Sequence, residues 1–553
     1  VEKLISLSPI VEYALSVAFG HGGQFRNPYP NSDNIVDPRD QERYCKSRQF
    51  ASAYITAQKM ALDGIKKIRG SIFGVILGGA TIDHVESNDF LERVIKKALE
   101  NSKDEVFHLL SGVEEIRPKD TVSFAARVLQ RALYDPNPEG KLRIRVNRDL
   151  RRDLLSFRVK YTQNVGGLSA FLGAFLSALG FRARCFISES SHEGLRAKFK
   201  DMNGVEFIQS GAVVKPEVAV LDPNEPGNLV CKTKSINFLD FFSKEDLTLI
   251  PTPLNGSRLS IDVIVSSDEG IPDIINYSPK FLEELSKEVP VYFLSSVNKA
   301  RTIEEINKFF DVVRGIQSRF SWSFSSFVNW EVFGAGVPRF RERVTTVSLN
   351  SNELLDIVKR FIEWFPNLPE EIENKSEIEE KFTKLGSYTY DIQSCSWLVN
   401  GLDALQALFG DQVNVVLRGH YLNLSSYPKA ERFSKEDCDA LRDVSLFSRA
   451  LAAQKVYFSG GMPKSIDQIG VVDFPFTVNA VEQFQEAAYM FRDAREDLEA
   501  QYWAKINDRL IILIPTMPFR PESGTAGAGD TIDFGRVLAT QALLGDKVDA
   551  RLS

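Results

Sequence analysis

Asp508-Arg-Leu-Ile-Ile-Leu-Ile-Pro515-Thr-Met-Pro-Phe519, and shortly after it Ser523-Gly-Thr-Ala-Gly-Ala-Gly-Asp530-Thr531, form the stretch on which the fold turns. An apolar run ending in proline reads as a buried strand, and the small residues beyond it read as a loop that opens into a helix at or near Asp530. Small residues let backbone N–H groups come close to an anion, and a helix start adds unpaired donors and a favourable dipole. Asp530 beside such an anion hole can accept a proton from a hydroxyl while the N–H groups stabilise charge on a transferring phosphoryl group. An Asp N-cap after a glycine turn is the competing reading. The spacing of Gly524, Gly527 and Gly529 is not GxGxxG, and no GxxxxGK[ST] occurs, so neither a dinucleotide fingerprint nor a P-loop is present.

Two earlier segments have the same character. Asn164-Val-Gly166-Gly167 stands before an Ala-, Leu- and Phe-rich helix expected from Leu168 to Leu179, where two glycines allow close approach of a ligand or of a neighbouring strand. Gly78-Gly-Ala-Thr-Ile-Asp83 follows the apolar strand Ile72 to Leu77 and places a carboxylate just past a strand end, where ligands of open α/β sheets gather. A solvated loop aspartate is the alternative there. Between these points, strands such as 183–187, 291–294, 345–349 and 413–417 alternate with helices at 38–67, 303–317, 353–365 and 438–454. That alternation predicts a parallel sheet covered by helices on both faces. Leu142-Arg-Ile-Arg-Val146 alternates strictly, and residues 210–265 break into short runs, as expected of a smaller second sheet.

Composition narrows the function classes. With 553 residues the chain is about 3.7 times a 150-residue domain unit. Its 43% hydrophobic and 25% charged residues are those of a globular protein. A net charge of −7 without a long basic run disfavours nucleic acid, whose phosphates must be neutralised. Cys45, Cys185, Cys231, Cys395 and Cys438 form no CxxC, and the five histidines form no HxxxH pair, so zinc and a disulfide framework are set aside. No apolar stretch is long enough for a membrane span, and the first twenty residues do not follow the order of a signal peptide. A cytoplasmic protein without a membrane partner is expected.

The strand-end Asp83, the glycine pair at 166–167 and the C-terminal Gly-Ala-Gly-Asp, in this order, resemble the ribokinase-like sugar kinases. Within them the chain is most similar to the ADP-dependent glucokinase/phosphofructokinase family, from about residue 40 to 553. Thr346-Val-Ser-Leu-Asn350-Ser-Asn-Glu353-Leu resembles that family's NxxE motif, and Asn329-Trp-Glu331 stands where the family has HxE, with Asn329 in place of His. The resemblance implies a three-layer α/β/α large domain with a smaller, β-rich inserted lid. Residues 41–82, 161–228 and 263–553 would form the large domain, and 83–160 with 229–262 the lid. Residues 1–40 would be a helical extension. It also implies transfer of the β-phosphoryl group of ADP to glucose or fructose 6-phosphate, with Mg²⁺ or another divalent cation. Asp530 would be the base and residues 527–529 the anion hole. Asp83, Asn164, Gly166 and Gly167 would meet the sugar, and Arg258, His420 and Thr525 the nucleotide. Glu331, Asn350 and Glu353 would serve the metal. Helix capping by Asn350 or Asn352, a structural role for His420 and a surface position for Arg258 are the alternatives to these roles. A solvated face likewise competes with sugar-phosphate binding for the cations between Lys141 and Lys160. A monomer or small homo-oligomer is expected. The readings set beside this one are an ATP-dependent ribokinase-like kinase and a catalytically silent sugar- or nucleotide-binding homologue.

Overall fold

The computed structural model describes residues 38–545 apart from 77–80, 113, 136–139, 159–160, 167, 188–193, 201, 203, 220–228, 234, 256–257, 260, 268–276, 290–291, 295–296, 317–319, 326, 388–393, 458–465, 467–468, 473–475, 477 and 517–527. In chain order the strands are β1 (Ile72–Ile76), β2 (Thr81–Glu86), β3 (Gly140–Val146), β4 (Tyr161–Gly166), β5 (Arg182–Phe186), β6 (Val205–Gln209), β7 (Ala212–Val214) and β8 (Leu229–Lys232). They continue with β9 (Ile261–Ser267), β10 (Tyr292–Leu294), β11 (Phe320–Ser323), β12 (Val344–Asn350), β13 (Asn414–Arg418), β14 (Leu422–Pro428), β15 (Trp503–Ile506) and β16 (Arg509–Pro515).

Eleven strands form one sheet in the order β15-β16-β14-β13-β12-β11-β10-β1-β5-β6-β7. From β6 to β13 every neighbouring pair is parallel. β14 runs antiparallel to β13, and β16 antiparallel to β14, so β16 regains the common direction. The carboxyl ends of β1, β10, β11, β12, β13 and β16 therefore lie along one edge, which is where such sheets bind ligands.

Helix cover on both faces explains the unbroken apolar strands. Leu510 to Ile514 of β16 are all buried, as a strand shielded on both sides requires. One apolar cluster joins the sheet to the helices Trp330–Arg343 and Cys395–Phe409. A second joins it to the helices Leu168–Ala178 and Ala528–Leu544. In the latter, Phe175 meets Phe534 edge to face with ring centroids 4.9 Å apart, which seats the C-terminal helix on the sheet.

The other five strands form a separate sheet in the order β3-β9-β8-β2-β4. It has its own apolar cluster, shared with the helices Asn88–Ser111 and Thr121–Tyr134. This sheet follows directly after β1, so it begins at the edge that carries those carboxyl ends. It also takes in β4, a segment that boundaries at 83 and 160 leave with the large sheet. The architecture is thus α/β, with the large central sheet expected from the sequence.

Several local expectations change. Asp83 lies inside β2 rather than beyond a strand end, because Thr-Ile-Asp-His-Val-Glu alternates polar and apolar residues and pairs with β4. Asn164 and Gly166 belong to strand β4, while the helix after them starts at Leu168 as expected. The helix expected from 353 to 365 is two pieces, Ser351–Lys359 and Phe361–Trp364, divided at Arg360 with φ −98° and ψ 15°. The helix expected to reach 317 ends at Val313. The extension at 1–37, Gly78 and Gly79 lie outside the described residues.

Candidate active site

Three strand ends supply the candidate site. β12 runs straight into the helix Ser351–Lys359, and Asn350 caps it: its Oδ1 accepts the Glu353 N–H at 3.0 Å. Glu353 answers by accepting the Asn350 N–H through Oε2 at 2.8 Å. The NxxE spacing is therefore a capping box, which satisfies two otherwise orphaned donors. It also fixes the Glu353 carboxylate at a helix N-terminus on the ligand edge.

β16 delivers the second element. Tyr54 donates its hydroxyl to the Pro515 carbonyl at 2.7 Å, and the buried Thr516 donates its N–H to the Tyr421 carbonyl at 2.8 Å. The Thr516 hydroxyl also donates to the His420 carbonyl. The strand is thus tied down at its carboxyl end, and the first turn of the helix Ala528–Leu544 carries Gly529 and Asp530. Asp530 Oδ1 lies 3.5 Å from Ser323 Oγ at the end of β11. Thr525 and Gly527 lie outside the described residues.

β13 provides the third element, which the sequence reading missed. Arg418, at its carboxyl end, is 5% exposed. Its guanidinium faces Asp533 Oδ2 at 3.3 Å and Glu353 Oε2 at 3.6 Å. Asp533, 2% exposed, lies one helical turn beyond Asp530. Arg418 thus joins the capping box to the helix that carries the candidate base. A Cβ on Gly529 would stand 2.8 Å from Arg418 Nη1, so the helix start and the guanidinium are in close contact. Nothing local in Val-Val-Leu-Arg418-Gly-His announces this, because Asp533 is 115 positions away.

The remaining residues are placed less centrally. Asn329 caps the helix Trp330–Arg343 by accepting the Glu331 N–H at 3.0 Å, and it donates to the Arg301 carbonyl at 3.0 Å. Its role in this structure is that of a cap, and Glu331 is exposed in the first turn. His420 is exposed in the turn between β13 and β14, edge-on to Tyr421 with ring centroids 4.4 Å apart. In the second sheet, Asp83 and Asn164 are register partners, and Thr81 pairs with Gly166, so these two segments run side by side. Gly167 lies outside the described residues. Arg258 is exposed beside the isolated bridge between Ile236 and Leu259.

Among the described residues no group of three or more His, Cys, Asp or Glu converges into a metal cage. Mg²⁺ in phosphoryl transfer takes one or two carboxylates, substrate phosphates and several waters. Glu353, 15% exposed by its side chain, and the exposed Glu331 are carboxylates of that kind, each in the first turn of its own helix. Also among the described residues, no helix is long and apolar enough to cross a membrane.

No protein-family model and no curated protein matches the chain. Solved structures do. The last common ancestor of ADP-dependent phosphofructokinases from Methanosarcinales is 18% identical, with a TM-score of 0.61, covering 90% of this chain and 98% of its own. An ADP-dependent kinase in complex with fructose-6-phosphate and ADPβS is 15% identical, with a TM-score of 0.66 over 90% of this chain and 99% of its own. A hypothetical ADP-dependent phosphofructokinase from Pyrococcus horikoshii OT3 is 16% identical, with a TM-score of 0.57 over 86% and 98%. At these identities the likeness is one of fold, and it extends over nearly the whole of each relative: the chain has the fold of the ADP-dependent phosphofructokinases.

Proposed function

We propose that the protein is an ADP-dependent kinase that phosphorylates a hydroxyl of a hexose or hexose phosphate, glucose or fructose 6-phosphate. The observation that carries this reading is the meeting, at one sheet edge, of the Asp530 helix start and the Asn350–Glu353 capping box, in a fold shared with ADP-dependent phosphofructokinases. The solved relative with fructose-6-phosphate and ADPβS supports the substrate class.

In this reading the sugar lies between the large sheet edge and the β2–β4 pair, with Asp83, Asn164, Gly166 and Gly167 against it. Asp530 accepts the proton of the attacking hydroxyl as its oxygen bonds to the β-phosphorus of ADP. The bond to the bridging oxygen breaks, and AMP leaves with that electron pair. N–H groups of residues 527–529 face the transferring oxygens, where donors arranged in advance stabilise the developing charge. Arg258, His420 and Thr525 serve the nucleotide. Bound Mg²⁺ would neutralise phosphate charge, held through water by Glu353 and Glu331. Asn350 orients Glu353 by capping, since its Oδ1 already accepts a backbone N–H.

The test is an acceptor panel with ADP and Mg²⁺, measuring AMP release with glucose, fructose 6-phosphate and other hexoses. Turnover with one of the two named sugars is expected. A panel in which no sugar supports AMP release, while nucleotide binds, would move the protein to the catalytically silent class, and turnover with another hexose alone would overturn the two named acceptors.

A further inference from the structure

Arg418 belongs to no motif singled out in the sequence, and its surroundings give it a task. It is a buried cation held between carboxylates from two different helix starts, Glu353 after β12 and Asp533 one turn beyond Asp530. Its Nη1 also lies 2.8 Å from where a Cβ on Gly529 would stand. Among the described residues, its Nε and the Oδ1 of Asp533 have no hydrogen-bond partner. A buried charge with an unsatisfied donor is costly, so the arrangement is not one that stability alone favours. Each such unsatisfied buried group in a native protein calls for an explanation.

We propose that Arg418 is the positioning residue of the transfer site. Its planar guanidinium spans Glu353 and Asp533 and packs under Gly529, so the helix start bearing Asp530 keeps a fixed distance from the one bearing Glu353. This rests on the kinase reading, and it adds a residue that acts through Gly529 and Asp530 without touching substrate. Lysine cannot replace it fully, because an ammonium lacks the fork that reaches two carboxylates at once. Gly529 then has a second reason to be glycine: a methyl group there would push against a guanidinium that cannot move away from both its partners.

Two readouts on the intact chain test the proposal: steady-state kinetics with ADP, Mg²⁺ and the accepted sugar, and hydrogen exchange of the amides at 528–533. R418Q is expected to lower kcat by about 100-fold with KM for ADP and sugar nearly unchanged, since a 1 Å misplacement costs on that order. It is also expected to speed exchange in that first helical turn. R418K should restore part of both, and it carries the test if R418Q does not fold. A merely structural role would lower the melting temperature of R418Q yet leave kcat per folded molecule and local exchange unchanged, and that result overturns the proposal. A wild type without turnover, beside faster exchange in R418Q, would count against the kinase reading and leave the Arg418 linkage standing. Unchanged exchange in both variants would remove the linkage whatever the turnover.

Discussion

Asn350 has two consequences through a single side chain: its Oδ1 caps the helix Ser351–Lys359, and that cap sets the Glu353 carboxylate at the sheet edge. Asn350→Ala is expected to cost about 1 kcal/mol of stability, the ordinary value of a lost N-cap, readable by denaturant unfolding. The same variant should weaken the Mg²⁺ dependence of turnover, while Asn350→Asp keeps the cap and most of the stability. A second residue-scale prediction concerns Glu206 on β6. Burial pulls its carboxyl up, but hydrogen bonds from Arg184 and Arg182 outweigh burial and hold it below the usual carboxylate range. The folded chain then binds fewer protons here than the unfolded chain, so stability rises with pH. The contribution is complete above the ordinary glutamate value of about 4.3 and is lost as pH falls through the lower folded value. Glu206→Gln should flatten that acid limb in unfolding measurements. An unchanged slope would show that the pair is not linked to folding.

At the scale of elements, much of the active edge was legible and one part was not. The strand Leu510–Ile514 and the capping pattern of Asn350 could be read because both are local: a continuous apolar run, and a polar residue three positions before a glutamate. Asp83 was read as lying past the end of β1, whereas residues 81–86 form a second strand, β2, paired with β4 in the other sheet. Arg418 was invisible because its partners come from distant parts of the chain. Packing between elements yields its own prediction at Gly334, in the helix Trp330–Arg343. A Cβ there would stand 2.1 Å from the Trp364 carbonyl oxygen, and that atom is backbone, so it cannot swing aside. Gly334→Ala is expected to destabilise the protein by about 1–3 kcal/mol, the range for overpacking, despite alanine's better helix propensity. A neutral or stabilising effect in chemical denaturation would contradict the packing of Phe361–Trp364 against this helix.

The whole molecule combines a large sheet with two apolar layers and a five-stranded sheet with a separate core. Glu115, in the loop between the helices Asn88–Ser111 and Thr121–Tyr134, reaches Arg360 of the main body at 2.5 Å. Ligands that bind the folded chain between the two sheets must stabilise it by mass action. ADP at 100 times its Kd should therefore add about 2.7 kcal/mol to unfolding, seen as a rise in Tm. An unmoved Tm at that concentration would show that the nucleotide is not bound. The central claim is that phosphoryl transfer occurs at Asp530, and the most direct measurement is AMP formation from ADP with Mg²⁺ and an accepted hexose, in the wild type and in Asp530→Asn. The account predicts stoichiometric AMP and sugar phosphate in the wild type and a loss of about 100- to 10,000-fold in the variant, the span for a missing general base. Turnover with ATP but not ADP, or an Asp530→Asn enzyme as fast as the wild type, would contradict it.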